Sequence, residues 1–337
     1  MTEIAGFLKR FGSLAPFMRL MSAALFFLLC CAVNPIVDFP TASISNHLLQ
    51  VQLYLPDASN GYYQGTRFDW AGVIPKLEFK GHNYFGQWFD KYDPKLHDAI
   101  SGPVEEFTTI GFTEANVGSE FLKIGVGSLI KPDDKNYSFA RTYEIKNPGV
   151  WKIRKSKNKV EFTHTLSDAA GYSYIYKKTV VLLDGRPAMV LEHSLKNTGQ
   201  KTIETSVYDH NFFTIDNEPT GPDIKISFPF EVKAEGKGFG TIINASKKAF
   251  TYSRALEKNE NVFTAGVQGF ANDADDYDIS IENLRTKAGV RITGDHPIEK
   301  LIFWACSTTS CPEPYIKISA KPGEEIKWNI EYEFYTF

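Results

Sequence analysis

The sequence predicts an all-β protein, a large antiparallel β-sandwich, on three observations. Apolar and polar residues alternate at period two from about residue 47 onward, turn signals punctuate those segments, and helical periodicity is scarce. The 14% aromatic content, mostly Phe and Tyr, suits half-buried strands. With 337 residues, 43% of them hydrophobic, the chain is long enough to bury one large core.

The N-terminus stands apart from that pattern. Lys9, Arg10 and Arg19 precede an apolar run from Leu20 to Val33, which Asn34-Pro35 ends. The run is short for a membrane span but suits the apolar region of a signal peptide, and Cys30-Cys31-Ala32 offers small residues for cleavage. Residues 1–32 are therefore expected to be a signal peptide or membrane-targeting segment, 33–46 a linker, and 47–337 a single sandwich domain. Export to the periplasm or the extracellular space follows. Transient membrane association through this segment, or an uncleaved anchor, is the alternative.

Within the domain, Val160, Phe162, His164 and Leu166 alternate with polar residues and predict a strand. Residues 172–183 form the next, ended by Asp184-Gly185, and Pro187 to Lys196 another, ended by Asn197-Thr-Gly199. Lys201 to Phe213 is a fourth, and Ile326 to Phe334 the last. The stretches Lys91–Ile100 and Asp273–Asp278 are the best places for short helices or loops. No repeat of fixed period appears, which excludes a propeller or solenoid.

Charge and cysteine usage narrow the function. The net charge is −3 with Lys and Arg spread throughout, so no basic stripe points to nucleic acid. Once residues 1–32 are set aside, Cys306 and Cys311 remain. Spaced to close a short loop as a disulfide, or to stay as two buried thiols, they have no second Cys or His pair nearby for zinc. The acidic cluster Asp273, Asp275, Asp276 and Asp278 lacks an EF-hand pattern and reads as a solvated loop.

Two short stretches carry the chemistry. In Tyr208-Asp-His-Asn-Phe-Phe213, strand parity puts His210 on one face with Tyr208 and Phe212. In Cys311-Pro-Glu-Pro-Tyr315, Glu313 is stiffened by Pro312 and Pro314, as suits a preorganised carboxylate. An imidazole and a carboxylate converging on one pocket can serve as acid and base.

The segment from Leu191 through Asn197-Thr-Gly199 to Tyr208-Asp-His-Asn-Phe-Phe213, followed by Cys311-Pro-Glu-Pro-Tyr315 and Lys321-Pro-Gly-Glu-Glu325, resembles the galactose mutarotase (aldose 1-epimerase) superfamily. The shared order covers roughly residues 187–337, and Tyr63-Gln-Gly-Thr-Arg67 is similar to an early family position where an arginine reaches the sugar. The resemblance implies an antiparallel β-supersandwich with a carbohydrate substrate on its concave face. It implies His210 as the acid at the ring oxygen and Glu313 as the base at the anomeric hydroxyl, with no cofactor and no metal.

Arg67, Tyr63, Glu105 and Trp304 are the expected substrate contacts: Arg67 by forked hydrogen bonds, Trp304 by stacking on a pyranose. Glu105 and Glu106 are adjacent on a strand, so only one of them can enter the pocket; Glu105 is taken as that one.

The family's Leu-His-Gly-Gly and Gly-Arg-x-Ala-Asn-Arg motifs are missing. Residues 98–107 stand there instead, with Trp88 and His97 upstream, so galactose itself is not carried over. The alternatives are a polysaccharide lyase-like enzyme acting on uronic-acid glycans, with Arg67 neutralising the carboxylate, and a noncatalytic carbohydrate-binding protein.

Overall fold

A computed structural model describes residues 38–337, and residues 39–337 form one compact unit. The expected targeting segment, residues 1–32, lies outside the described residues. Among the described residues no helix is long and apolar enough to cross a membrane; the helical elements are two short 3-10 turns, Ile215–Asn217 and Ala274–Asp276. The second of these lies in the Asp273–Asp278 stretch, whereas residues 91–100 are irregular.

Two antiparallel sheets make the sandwich. The larger has ten strands, running edge to edge Ile243–Ser246, Ala249–Tyr252, Ile224–Ser227, Asp278–Asn283, Ala288–Gly294, Glu325–Thr336, Ala188–Asn197, Tyr172–Leu182, Lys159–Ala169 and Val150–Lys155. The smaller has five: Asn261–Val267, Lys300–Cys306, Thr309–Ala320, Ile203–His210 and Val104–Phe107. Their inner faces meet through aromatic rings. Phe107 packs edge-on to Tyr176 at 5.3 Å, and Phe303 to Phe250 at 5.1 Å. Each such ring, fully buried, contributes about 1.5–3 kcal/mol.

The expected strands appear with ends moved by a few residues. The turn motif at Asn197 has a further role: this fully buried amide accepts from Gly199 N at 2.9 Å and donates to Lys201 O and Ala320 O at 2.8 Å. It thus ties the turn to the end of the Glu313 strand.

The expected 33–46 linker needs correction, because Thr41–Ser45 is a strand paired with Leu49–Tyr54. Its alternation of buried Ala42 and Ile44 with polar residues is the same period-two signal at shorter length. These strands join Val73–Phe79 and His82–Asn83 in a four-stranded sheet, and a three-stranded sheet comprises Glu120–Lys123, Gly127–Ile130 and Ile145–Asn147.

Candidate active site

The outer face of the five-stranded sheet positions the site. Cross-strand partners share a face, and the register pairs Tyr208 with Glu106, His210 with Val104, Cys311 with Trp304 and Glu313 with Ile302. Tyr208, His210, Glu313, Trp304 and Glu106 therefore all stand on one side.

The prolines explain why the pairing of two central strands is interrupted there. The Ile203–His210 and Thr309–Ala320 strands pair only from Ile203 and Ala320 to Val207 and Ile316. Beyond that point the ladder is interrupted until Phe213 pairs with Ser310 in the same register, and Pro312 and Pro314, which have no N–H to donate, occupy the unpaired stretch. Glu313 lies within the Thr309–Ala320 strand.

This unpaired stretch holds the two expected groups in contact. His210 Nε2 lies 3.4 Å from Glu313 Oε1, and the two residues are only 3% and 5% exposed. Phe212 stacks flat on the imidazole at 3.7 Å, while Phe68 and Trp304 meet it edge-on at 5.7 Å each. The ring is clamped with its edge toward Glu313. His210 Nδ1 is buried and has no hydrogen-bond partner among the described residues.

Burial sets the protonation of the pair. Desolvation raises the Glu313 carboxyl to about 8, against the opposing pull of Arg67. Desolvation, and then Arg67, hold the His210 imidazole well below its ordinary value. Both shifts favour the uncharged forms, a neutral imidazole beside a protonated carboxyl.

Arg67 anchors the neighbouring network. Its Nε donates to Glu106 Oε2 at 2.7 Å, it pairs with Asp98, and its Nη2 donates to the Tyr208 hydroxyl at 3.2 Å. Tyr208 in turn donates to Glu106 Oε2 at 2.6 Å, and Lys123 reaches Glu106 Oε1 at 3.2 Å. Burial pushes the Glu106 carboxyl up, but Lys123 and Arg67 prevail and bring it down to about 2. The Arg67 guanidinium lies between the Phe68 and Phe139 rings, at 4.4 and 4.3 Å. Two glycines permit these close approaches: a Cβ at Gly102 would fall 2.3 Å from the Asn211 carbonyl oxygen, and one at Gly65 2.4 Å from the Tyr63 hydroxyl.

Several expectations are corrected here. Glu105 faces the opposite side, paired across the ladder with Asp209 and bound inside the sandwich to Lys178 and to His193 Nε2 at 2.6 Å. Parity admits Glu106 to the site instead. The Tyr63 hydroxyl donates to His97 O at 3.0 Å and accepts from Phe68 N at 3.4 Å, so this tyrosine holds the Arg67 loop in place. Arg67 is at the site but already satisfied by protein carboxylates. Trp304 is half-buried beside His210.

Cys306 and Cys311 are free thiols, and the loop between them is a tight hairpin in which Cys306 pairs with Thr309. His193 stacks on Trp328 at 4.8 Å and serves the buried Glu105. Sequence reasoning missed Lys123 altogether, because a lone lysine in Glu120–Lys123 gives no sign of burial. It passed over Glu106 for want of the register.

No protein-family model matches the sequence, and no curated protein matches it. Solved structures do. The GalM/aldose epimerase homologue from C. elegans superimposes with a TM-score of 0.55 at 14% identity, over 89% of this chain and 99% of that one. The Slr1438 protein from Synechocystis sp. PCC 6803 gives 0.54 at 14% identity, over 89% and 97%. A galactose mutarotase related enzyme from Lactobacillus acidophilus gives 0.52 at 13%, over 88% and 97%. At such identities the likeness establishes the fold, which is galactose mutarotase-like.

Proposed function

We propose that this galactose mutarotase-like sandwich carries a carbohydrate mutarotase, an aldose 1-epimerase-like enzyme in which His210 and Glu313 interconvert sugar anomers. The observation that supports it is the 3.4 Å approach of His210 Nε2 to Glu313 Oε1. In a cyclic sugar the ring oxygen and the anomeric hydroxyl are bonded to one carbon, so groups that serve both must themselves be neighbours. Carboxyl pairs that hydrolyse glycosides stand farther apart, about 5–9.5 Å.

The proton count suits the reaction. Mutarotation takes one proton from the anomeric hydroxyl and gives one to the ring oxygen; the C1–O5 bond breaks, the aldehyde end rotates, and the ring recloses. A pair holding a single proton ends each cycle as it began. In this reading the Glu313 proton passes to His210 as sugar enters, an internal transfer without change of net charge. Glu313 then accepts the anomeric proton while His210 protonates the ring oxygen.

The substrate is an uncharged sugar on this reading. Arg67 and Lys123 are matched by Glu106 and Asp98, so the arginine that a uronate-cleaving lyase would need is already neutralised. The basic residues Lys9, Arg10 and Arg19 ahead of the apolar run Leu20–Val33 support export from the cytoplasm, which a reporter fused after residue 46 would test.

Polarimetry or anomeric-proton NMR on freshly dissolved single anomers tests the reaction, with His210→Ala and Glu313→Gln as controls. Accelerated equilibration, lost in both variants, is the expected result. Unsaturated uronate absorbance would identify a lyase, and sugar binding without exchange a noncatalytic binder; either would overturn the proposal.

A further inference from the structure

We infer that the site continues into an aromatic subsite, formed by Trp304 and Phe263, that takes the second pyranose ring of an oligosaccharide whose reducing end lies at His210 and Glu313. This rests on the anomer-exchange reading for its orientation, and on the sheet for its placement. Phe263 is the direct cross-strand partner of Trp304, so the two side chains share the outer face with the acid–base pair. The Asn261–Val267 strand is the edge of the five-stranded sheet. Its Val262 and Thr264 point inward and are buried, whereas Phe263 is 43% exposed.

That exposure is selective. Among the described residues three aromatic side chains are exposed, Phe139, Phe263 and Phe337. Phe337 is the last residue of the sequence. The other two flank the site, Phe139 over the Arg67 guanidinium and Phe263 beyond Trp304. Asn261, on the same face as Phe263, accepts from Lys237 Nζ at 2.5 Å and brings an amide to the rim. A ring face with convergent polar groups suits a sugar, whose C–H faces are apolar and whose edges bear hydroxyls.

The spacing selects the length of the ligand. Two strand intervals separate the Glu313 strand from the Phe263 strand, about 9.5 Å in all. That exceeds one pyranose ring, so a monosaccharide held at His210 and Glu313 leaves Phe263 bare and a linked second ring covers it.

The test follows anomer exchange by the full chain, using fresh single anomers of glucose and galactose beside maltose, cellobiose and lactose, with Phe263→Ala and Phe263→Tyr. At least one disaccharide is expected to show a lower KM than its reducing-end monosaccharide. Phe263→Ala should raise that KM about five- to tenfold, leave monosaccharide kcat/KM unchanged, and be rescued by Phe263→Tyr. Monosaccharide exchange without any disaccharide preference would overturn the subsite and leave the mutarotase reading standing. Calorimetric disaccharide binding that weakens in Phe263→Ala, in a protein that exchanges no anomers, would support the subsite and overturn that reading. Equal effects of Phe263→Ala on both sugar lengths would also sink the subsite.

Discussion

The two faces of the five-stranded sheet use the same residue types to opposite ends. On the inner face Glu105 is fully buried between Lys178 and His193, Tyr176 donates to Asp69 at 3.1 Å, and Tyr332 donates to Asp209 at 2.6 Å. On the outer face His210 and Glu313 are nearly as deeply buried but face each other, and His210 Nδ1 has no hydrogen-bond partner among the described residues. Burial alone therefore does not separate a structural charge from a chemical one. What separates Glu105 from Glu313 is whether cationic partners outweigh the cost of burial; where burial prevails, the inner carboxyls rise too, Asp69 to about 8 and Asp209 to about 6. Glu105 is held low despite burial because Lys178 and His193 offset its desolvation, whereas Glu313, lacking such partners, rises to about 8.

The sharpest way to break this comparison is Glu105→Ala. Removing one member of a fully buried ion pair strands the other, and about 3–5 kcal/mol of stability should be lost. Chemical denaturation would measure it, and a loss under 1 kcal/mol would mean the inner network is not structural. On the outer face His210→Ala should leave the fold in place and reduce anomer exchange about a hundredfold or more. Equal damage to stability at both positions would erase the distinction between the faces.

How much of this was legible in the sequence depends on the range of the interaction that decides it. The His210 strand and the stiffened Glu313 were readable, because strand alternation and proline stereochemistry are local. Their meeting was inferred from the order of blocks, and the register shared by the Val207–Ile316 and Phe213–Ser310 pairs, which sets the two residues opposite each other, supplies the physical reason. The choice of Glu106 over Glu105 was not legible. It depends on pairing with Tyr208, about a hundred residues away, and a one-residue slip of register exchanges the two faces. The Thr41–Ser45 strand was overlooked because five residues give a weak periodic signal that only pairing with Leu49–Tyr54 makes firm.

The raised Glu313 carboxyl sharpens the comparison through pH. In the unfolded chain this group ionises near 4.5, whereas in the fold it keeps its proton to about 8. Between those values the unfolded chain gains stability by ionising and the native state does not, so folding stability falls as pH rises through this window and is level above it. Glu313→Gln removes the penalty. The variant should match the parent near pH 4 and exceed it by roughly 2 kcal/mol or more at pH 8, while losing exchange activity. Thermal unfolding at the two pH values checks this. Activity of the parent should likewise fall as pH rises past about 8, when the carboxyl proton is lost from the pair.

Asp98 carries the smallest expected effect and tests the exposed end of the outer network. Burial pushes this carboxyl up, but His97, whose Nε2 is 3.0 Å away, and Arg67 together hold it below its ordinary value. A depressed carboxyl stabilises the fold above its unfolded pKa and loses that contribution as pH falls through the folded value. The Asp98 side chain is 31% exposed, so solvent screens much of the interaction. Asp98→Asn should cost about 0.5–1 kcal/mol at pH 7, because Glu106 and Tyr208 still hold Arg67, and that cost should shrink as pH falls through the folded value. A loss as large as that of Glu105→Ala would mean that the Arg67 cluster is as rigidly structural as the inner network, and that only His210 and Glu313 distinguish the outer face.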